Sequence, residues 1–253
     1  MELKDAVNQA LGKTDQQISS PQKKESMMDG KPCAICGTLM PFRCDMETGE
    51  TFCRCLKPEC NAEKKRRREE KIKQDRERNA ENEFPPMYRG AKLSDCGFEK
   101  EILAWLESPL PGLLTFSGTA GNGKTRMMYA VIAHLRRQGK YPEDWRVAFL
   151  LKRLQVMCGQ DAAEEEKEVK RLCHAEQVLC LDDLGTEKVT EFTLQDFYLI
   201  LAEREQWQLP TLITTNLTLE QISESLGDRI ASRIAGGIVL KFSGKDKRVE
   251  RTH

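Results

Sequence analysis

From about residue 84 onward, short apolar runs alternate with longer segments whose apolar residues recur every three or four positions. The runs GLLTFS, RVAFLL, VLCLDD, TLITTN and IVLKF read as strands, and TRMMYAVIAHLRRQGK and TLQDFYLILAEREQW read as amphipathic helices. That alternation predicts an α/β domain over 84–253 with a mainly parallel sheet, helices on both faces, and a ligand beyond the carboxyl ends of the strands. The stretch AEKKRRREEKIKQDRERNAENE has charges of both signs at helical spacing and almost no apolar face, which predicts a solvated helical linker over 63–83, ended by Pro85 and Pro86. Residues 1–30 are polar, with a short helix expected over Leu3 to Leu11 and then a tail.

Composition changes this picture at one place. Ten cysteines would mean a disulfide framework in an exported chain, but MELKDAVNQALGKTDQQ carries charges where a signal peptide has its apolar core. No run approaches the ~18 apolar residues that a membrane helix needs, so a soluble cytoplasmic protein with reduced or metal-bound thiols is expected. Six of the cysteines fall between Cys33 and Cys60, which delimits a module over 31–62. CAIC, Cys33 to Cys36, is one knuckle of a zinc site, and TFCRCLKPEC supplies a second group of thiols. Zinc takes four thiols: Cys33 and Cys36 supply one half, and Cys44, Cys53, Cys55 and Cys60 are the candidates for the other. A segment this short holds too little apolar material to fold without such a staple. Lys and Arg number 40 and Asp and Glu number 40, so nucleic-acid contact would have to come from local patches. KKRRR, 64 to 68, is one such patch, but its acidic neighbours favour a solvated face.

The chemistry lies in four stretches. GTAGNGKT follows an apolar run and precedes a helix, the context of a phosphate loop. Gly118, Gly121 and Gly123, with Thr119, Ala120 and Asn122 between them, let backbone N–H groups turn towards phosphates; Lys124 reaches the β and γ phosphates, Thr125 holds Mg²⁺, and Arg126 follows. VLCLDDLG delivers Asp182, placed to hold Mg²⁺, and Asp183, placed to orient or deprotonate the attacking water. TLITTN ends on Asn216, an amide that could position that water, and Thr218 with Gln221 forms a capping box for the next helix. In GDRIASRIAGG, Arg229 and Arg233 share one helix face and could serve the γ-phosphate of a neighbouring subunit.

In that order and spacing, GTAGNGKT, VLCLDDLG, LPTLITTNLT and LGDRIASRI resemble the AAA+ ATPase domain of the bacterial replicative-helicase loaders of the DnaC and DnaI group; FPPMYRGAKLSDC resembles the approach to it. The resemblance implies a Walker A pair at Lys124 and Thr125, a Walker B pair at Asp182 and Asp183, sensor 1 at Asn216, an arginine finger at Arg233 and sensor 2 at Arg248. It also implies ATP, Mg²⁺ and Zn²⁺ as ligands, with Zn²⁺ on Cys33, Cys36, Cys53 and Cys55 and with Cys60 and then Cys44 as substitutes, and a hexameric DnaB-type replicative helicase, single-stranded DNA and further copies of the chain as partners. A transposition helper ATPase of the IstB type and a zinc-dependent interaction protein with a structural nucleotide are the alternatives.

Overall fold

The computed structural model of the chain describes residues 31–40, 42–44, 51–53, 55, 57–185 and 191–244, with residues 42–44, 51–53 and 191–193 described by backbone alone. The expected helix over Leu3 to Leu11 and the residue Arg248 lie outside the described residues. The chain divides into two compact units, Met1–Glu70 and Lys71–His253.

The first unit contains two antiparallel pairs of very short strands. β1 (Lys31–Pro32) pairs with β2 (Leu39–Met40), and β3 (Phe42–Cys44) pairs with β4 (Thr51–Cys53). Cys33, Met40, Cys55 and Cys60 form its small buried cluster, with Ile35 packed against it. A long helix, α1 (Pro58–Asn79), starts here and runs across the boundary. Its exposed face is laced with pairs three and four residues apart, such as Arg66 and Arg67 on Glu63, which support a helix that has almost no apolar face.

The second unit has a five-stranded parallel sheet in the order β6-β7-β8-β5-β9, with β5 (Leu113–Ser117), β6 (Glu143–Arg146), β7 (Leu179–Leu184), β8 (Thr211–Thr215) and β9 (Ile238–Lys241). Alternate strand residues serve two cores, as a sheet covered on both faces requires. Leu114, Phe116, Cys180, Leu212 and Leu240 pack with α2 (Glu99–Glu107) and α3 (Lys124–Arg137). Leu113, Leu179, Leu181 and Ile213 pack on the opposite face with α4 (Val147–Gln160), α5 (Ala162–His174), α6 (Glu191–Gln206), α7 (Leu219–Leu226) and α8 (Asp228–Gly236). The capping box is formed: Thr218 accepts from the Gln221 amide and Gln221 accepts from the Thr218 amide.

One expected strand is corrected. RVAFLL is not a strand: β6 is the polar EDWR, and the apolar residues that follow open α4. Val147, Leu150, Leu151 and Leu154 are all buried, and their spacing of three, four and seven residues lays them on one helix face. β6 can be polar because it is the edge strand, with intermediate and exposed residues alternating along it.

Candidate functional site

Beyond the carboxyl ends of β5, β7 and β8 lies a cavity of about 870 Å³, bordered by residues Ala120 to Met127, Asp182, Asp183, Thr214 and Asn216. It owes its position to the parallel sheet, whose strand ends bring together residues far apart in sequence.

The phosphate loop joins β5 to α3. Gly123 takes a left-handed φ of 91° immediately before the helix, and the loop is seated against the end of the sheet by Asn122, which is buried and donates to the Phe242 carbonyl at 2.9 Å. Gly118 passes so close to that carbonyl that a Cβ there would collide with it. Lys124 Nζ folds back on the loop, donating to the carbonyls of Gly118 at 2.6 Å and Thr119 at 2.7 Å. Arg126 leaves the loop and donates to the Met87 carbonyl at 3.1 Å, tying α3 to the segment that precedes the domain's first helix.

A chain of hydrogen bonds crosses the strands. Thr125 Oγ1 donates to Asp182 Oδ1 at 2.9 Å, and Thr214 Oγ1 donates to the same oxygen at 2.6 Å. The Asp183 amide donates to Thr214 Oγ1 at 2.9 Å, and Asn216 Nδ2 donates to Asp183 Oδ1 at 3.0 Å. Its origin is a bulge in β7: Leu181 is paired with Ile213 and Leu184 with Thr215, so two β7 residues face one on β8. The extra residue puts Asp183 at φ 63°, a conformation that Asp tolerates better than most side chains, and re-aims its carboxylate. Thr214 then supplies the acceptor that the displaced Asp183 amide has lost. Sequence reading missed Thr214, although its place two residues before Asn216 was the available signal. It also missed Arg146 and Lys241, which border the same cavity.

These residues fit a magnesium nucleotide. Thr125 and Asp182 offer the hard oxygen donors that Mg²⁺ takes, and the loop presents a helix N-terminus and an ammonium to phosphates.

Arg233 does not border this cavity. It lies on α8, in a smaller pocket of about 460 Å³ with Tyr198, Glu205 and Arg229. Its guanidinium is paired with Glu205, donates to Tyr198 Oη at 3.0 Å and lies 5.0 Å from the centre of the Tyr198 ring.

In the first unit, the sulfurs of Cys33, Cys36, Cys55 and Cys60 all lie within 4.8 Å of one another. Cys60, the first substitute in the sequence reading, is the thiol brought to the other three, because it sits in the first turn of α1. Cys53, expected in its place, lies in β4 with its side chain outside the described residues, and the same holds for Cys44 in β3. Cys36 Sγ and Cys55 Sγ are 3.9 Å apart. Tetrahedral zinc with Zn–S bonds of about 2.3 Å sets sulfurs about 3.8 Å apart, so the quartet fits that ion. Contacts with Thr38 draw Cys36 down to about 6, whereas Cys36 and burial push Cys60 up to about 12. Crowded sulfurs resist ionising together, and a bound cation offsets that cost.

The sheet and the phosphate loop facing two strand-end aspartates define a P-loop nucleotide-binding domain. The chain belongs to the family described as IstB-like ATP binding protein, whose family model matches residues 103–239. Among curated proteins it resembles the replicative helicase loader DnaC of Escherichia coli (strain K12), with 25% identity over 122 residues, 48% of this chain and 49% of DnaC. The chain thus spans about half the length of the curated relatives it matches. Solved structures share its fold. A DnaC helicase loader superposes with a TM-score of 0.54 at 23% identity, over 63% of this chain and all of that one. A DnaI structure superposes with a TM-score of 0.53 at 22% identity, over 67% of this chain and all of that one. No helix among the described residues is long and apolar enough to cross a membrane.

Proposed function

We propose that the chain is a cytoplasmic ATP-dependent loader that delivers a DnaB-type hexameric replicative helicase to single-stranded DNA. The observation that carries the ATPase part of this reading is the hydrogen-bond chain Thr125–Asp182–Thr214–Asp183–Asn216, which couples the phosphate loop to two strand-end carboxylates. The helicase part rests on the likeness to DnaC.

Lys124 leaves its loop carbonyls to bind the β and γ phosphates, and the loop amides bind the remaining phosphate oxygens. Mg²⁺, when bound, neutralises phosphate charge; Thr125 and Asp182 hold it. Asp183 takes the proton of the attacking water, and Asn216 fixes the orientation of the Asp183 carboxylate. Arg233 acts on the nucleotide of a neighbouring copy, a role supported by its absence from the cavity of its own chain. Arg248 is the proposed sensor 2. ATP binding orders several copies on single-stranded DNA, and hydrolysis releases the helicase. The zinc module, held by Cys33, Cys36, Cys55 and Cys60, grips the helicase.

The test is capture of the purified host replicative helicase, with and without ATP, single-stranded DNA and a zinc chelator. Capture that is lost on chelation supports the reading. Absence of capture under every condition, with ATPase activity intact, overturns it in favour of a transposition helper, the second reading that the matched family leaves open.

A further inference from the structure

Four basic side chains border the nucleotide cavity: Lys124, Arg126, Arg146 and Lys241. Lys124 is engaged by the loop carbonyls, and Arg126 by the Met87 carbonyl and by Asp95 at 3.7 Å. Arg146 is different. It is exposed, and among the described residues no hydrogen bond or ion pair engages its guanidinium.

Its direction follows from the sheet. Arg146 is the last residue of β6 and pairs in parallel register with Asp182, and directly paired residues of neighbouring strands share a face. Trp145, one residue earlier, packs into the core on the other face. Arg146 therefore lies on the α3 side with Asp182, and it borders the same cavity as Asp182 and Thr125. The proposed metal site sets the sense in which phosphates would run across this face. The loop leaves β5, and its Thr125 hydroxyl meets Asp182 on β7, so the metal end of a bound nucleotide points from β5 towards β7. β6 is the next strand beyond β7 in that direction. Lys241 ends β9, on the opposite side of β5, and therefore flanks the other end of the cavity.

We infer that Arg146 contacts the γ-phosphate of the nucleotide bound in its own chain, and so makes the site prefer a nucleoside triphosphate to a diphosphate. The guanidinium fork suits a terminal phosphate, which offers it two oxygens, and a diphosphate leaves it nothing to reach. This rests on the nucleotide reading above and adds to it a cis arginine, distinct from Arg233 of a neighbouring copy.

The test measures the dissociation constants of a non-hydrolysable ATP analogue and of ADP, both with Mg²⁺, for the full chain and for Arg146→Ala, Arg146→Lys and Lys124→Ala. Loss of one charge-assisted contact predicts that Arg146→Ala weakens the triphosphate about tenfold and ADP less than about twofold, with partial recovery in Arg146→Lys. Retained ADP binding shows that the variant is folded. Equal loss of both nucleotides, or loss of neither, overturns the inference. Unchanged nucleotide binding with weaker affinity for a single-stranded oligonucleotide also overturns it, and assigns Arg146 to nucleic acid. Lys124→Ala separates the two levels: if it binds both nucleotides like the parent chain, the nucleotide reading itself has failed.

Discussion

Asp183 shows how one backbone angle constrains chemistry. At φ 63° the residue must have a side chain that tolerates the left-handed region and still presents a carboxylate, which favours Asp over the longer Glu. Asp183→Asn keeps the backbone preference and the contact with Asn216 but removes the base. It is expected to leave Mg²⁺-ATP affinity within about twofold and to lower turnover at least about a hundredfold, measured by binding and by phosphate release. Equal turnover in the variant would remove Asp183 from the mechanism. The two aspartates were legible in the sequence because an apolar run delivers them. The bulge that separates their roles was not, since it depends on pairing with β8, and Thr214 emerged only with that pairing.

At the scale of elements, the sheet was legible where strands are buried on both faces and read as apolar runs, as in β5, β7 and β8. It was misread at its edge, because β6 is half-covered and polar while the apolar residues after it belong to a helix. Arg204 escaped sequence reading altogether. It is fully buried on α6 and donates to the carbonyls of Leu172, Ala175, Gln177 and Pro210 and to Thr211 Oγ1, at 2.8–3.1 Å, so one side chain ties the entry to β7 to the entry to β8. Arg204→Met removes these five hydrogen bonds and is expected to destabilise the second unit by about 3–5 kcal/mol in denaturant unfolding. A pair of carboxyl side chains, Glu165 on α5 and Asp196 on α6, joins the two helices. Burial, and then Glu165, push Asp196 up to about 7, and among the described residues its buried Oδ2 has no hydrogen-bond partner. The folded chain therefore keeps a proton that the unfolded chain releases near pH 4, and the stability this contributes is lost as pH rises through 7. Asp196→Asn should raise the melting temperature more at pH 8 than at pH 5, and equal shifts at the two values would exclude the pair as the cause.

Across the whole molecule, two units carry two chemistries, and each is tested by its own experiment. For the first unit, Cys60→Ser should lower bound zinc from about one ion per chain, whereas Cys53→Ser should retain it, as metal analysis of the purified proteins would show. Retention in both would break the quartet assignment. For the second unit, the separation of Arg233 from the nucleotide cavity of its own chain makes a sharper demand. If Arg233 completes the site of a neighbour, Lys124→Ala and Arg233→Ala chains are each inactive alone for different reasons: the first cannot hold nucleotide, and the second cannot finish a neighbour's site. Mixed together, an Arg233→Ala chain that holds ATP can meet a Lys124→Ala chain that still presents Arg233. That pairing has one complete site, so the mixture should regain about a quarter of the parent ATPase rate if copies associate at random. A mixture as inactive as its components would place the action of Arg233 within its own chain, where Glu205 and Tyr198 already hold it, and would leave assembly without a catalytic role.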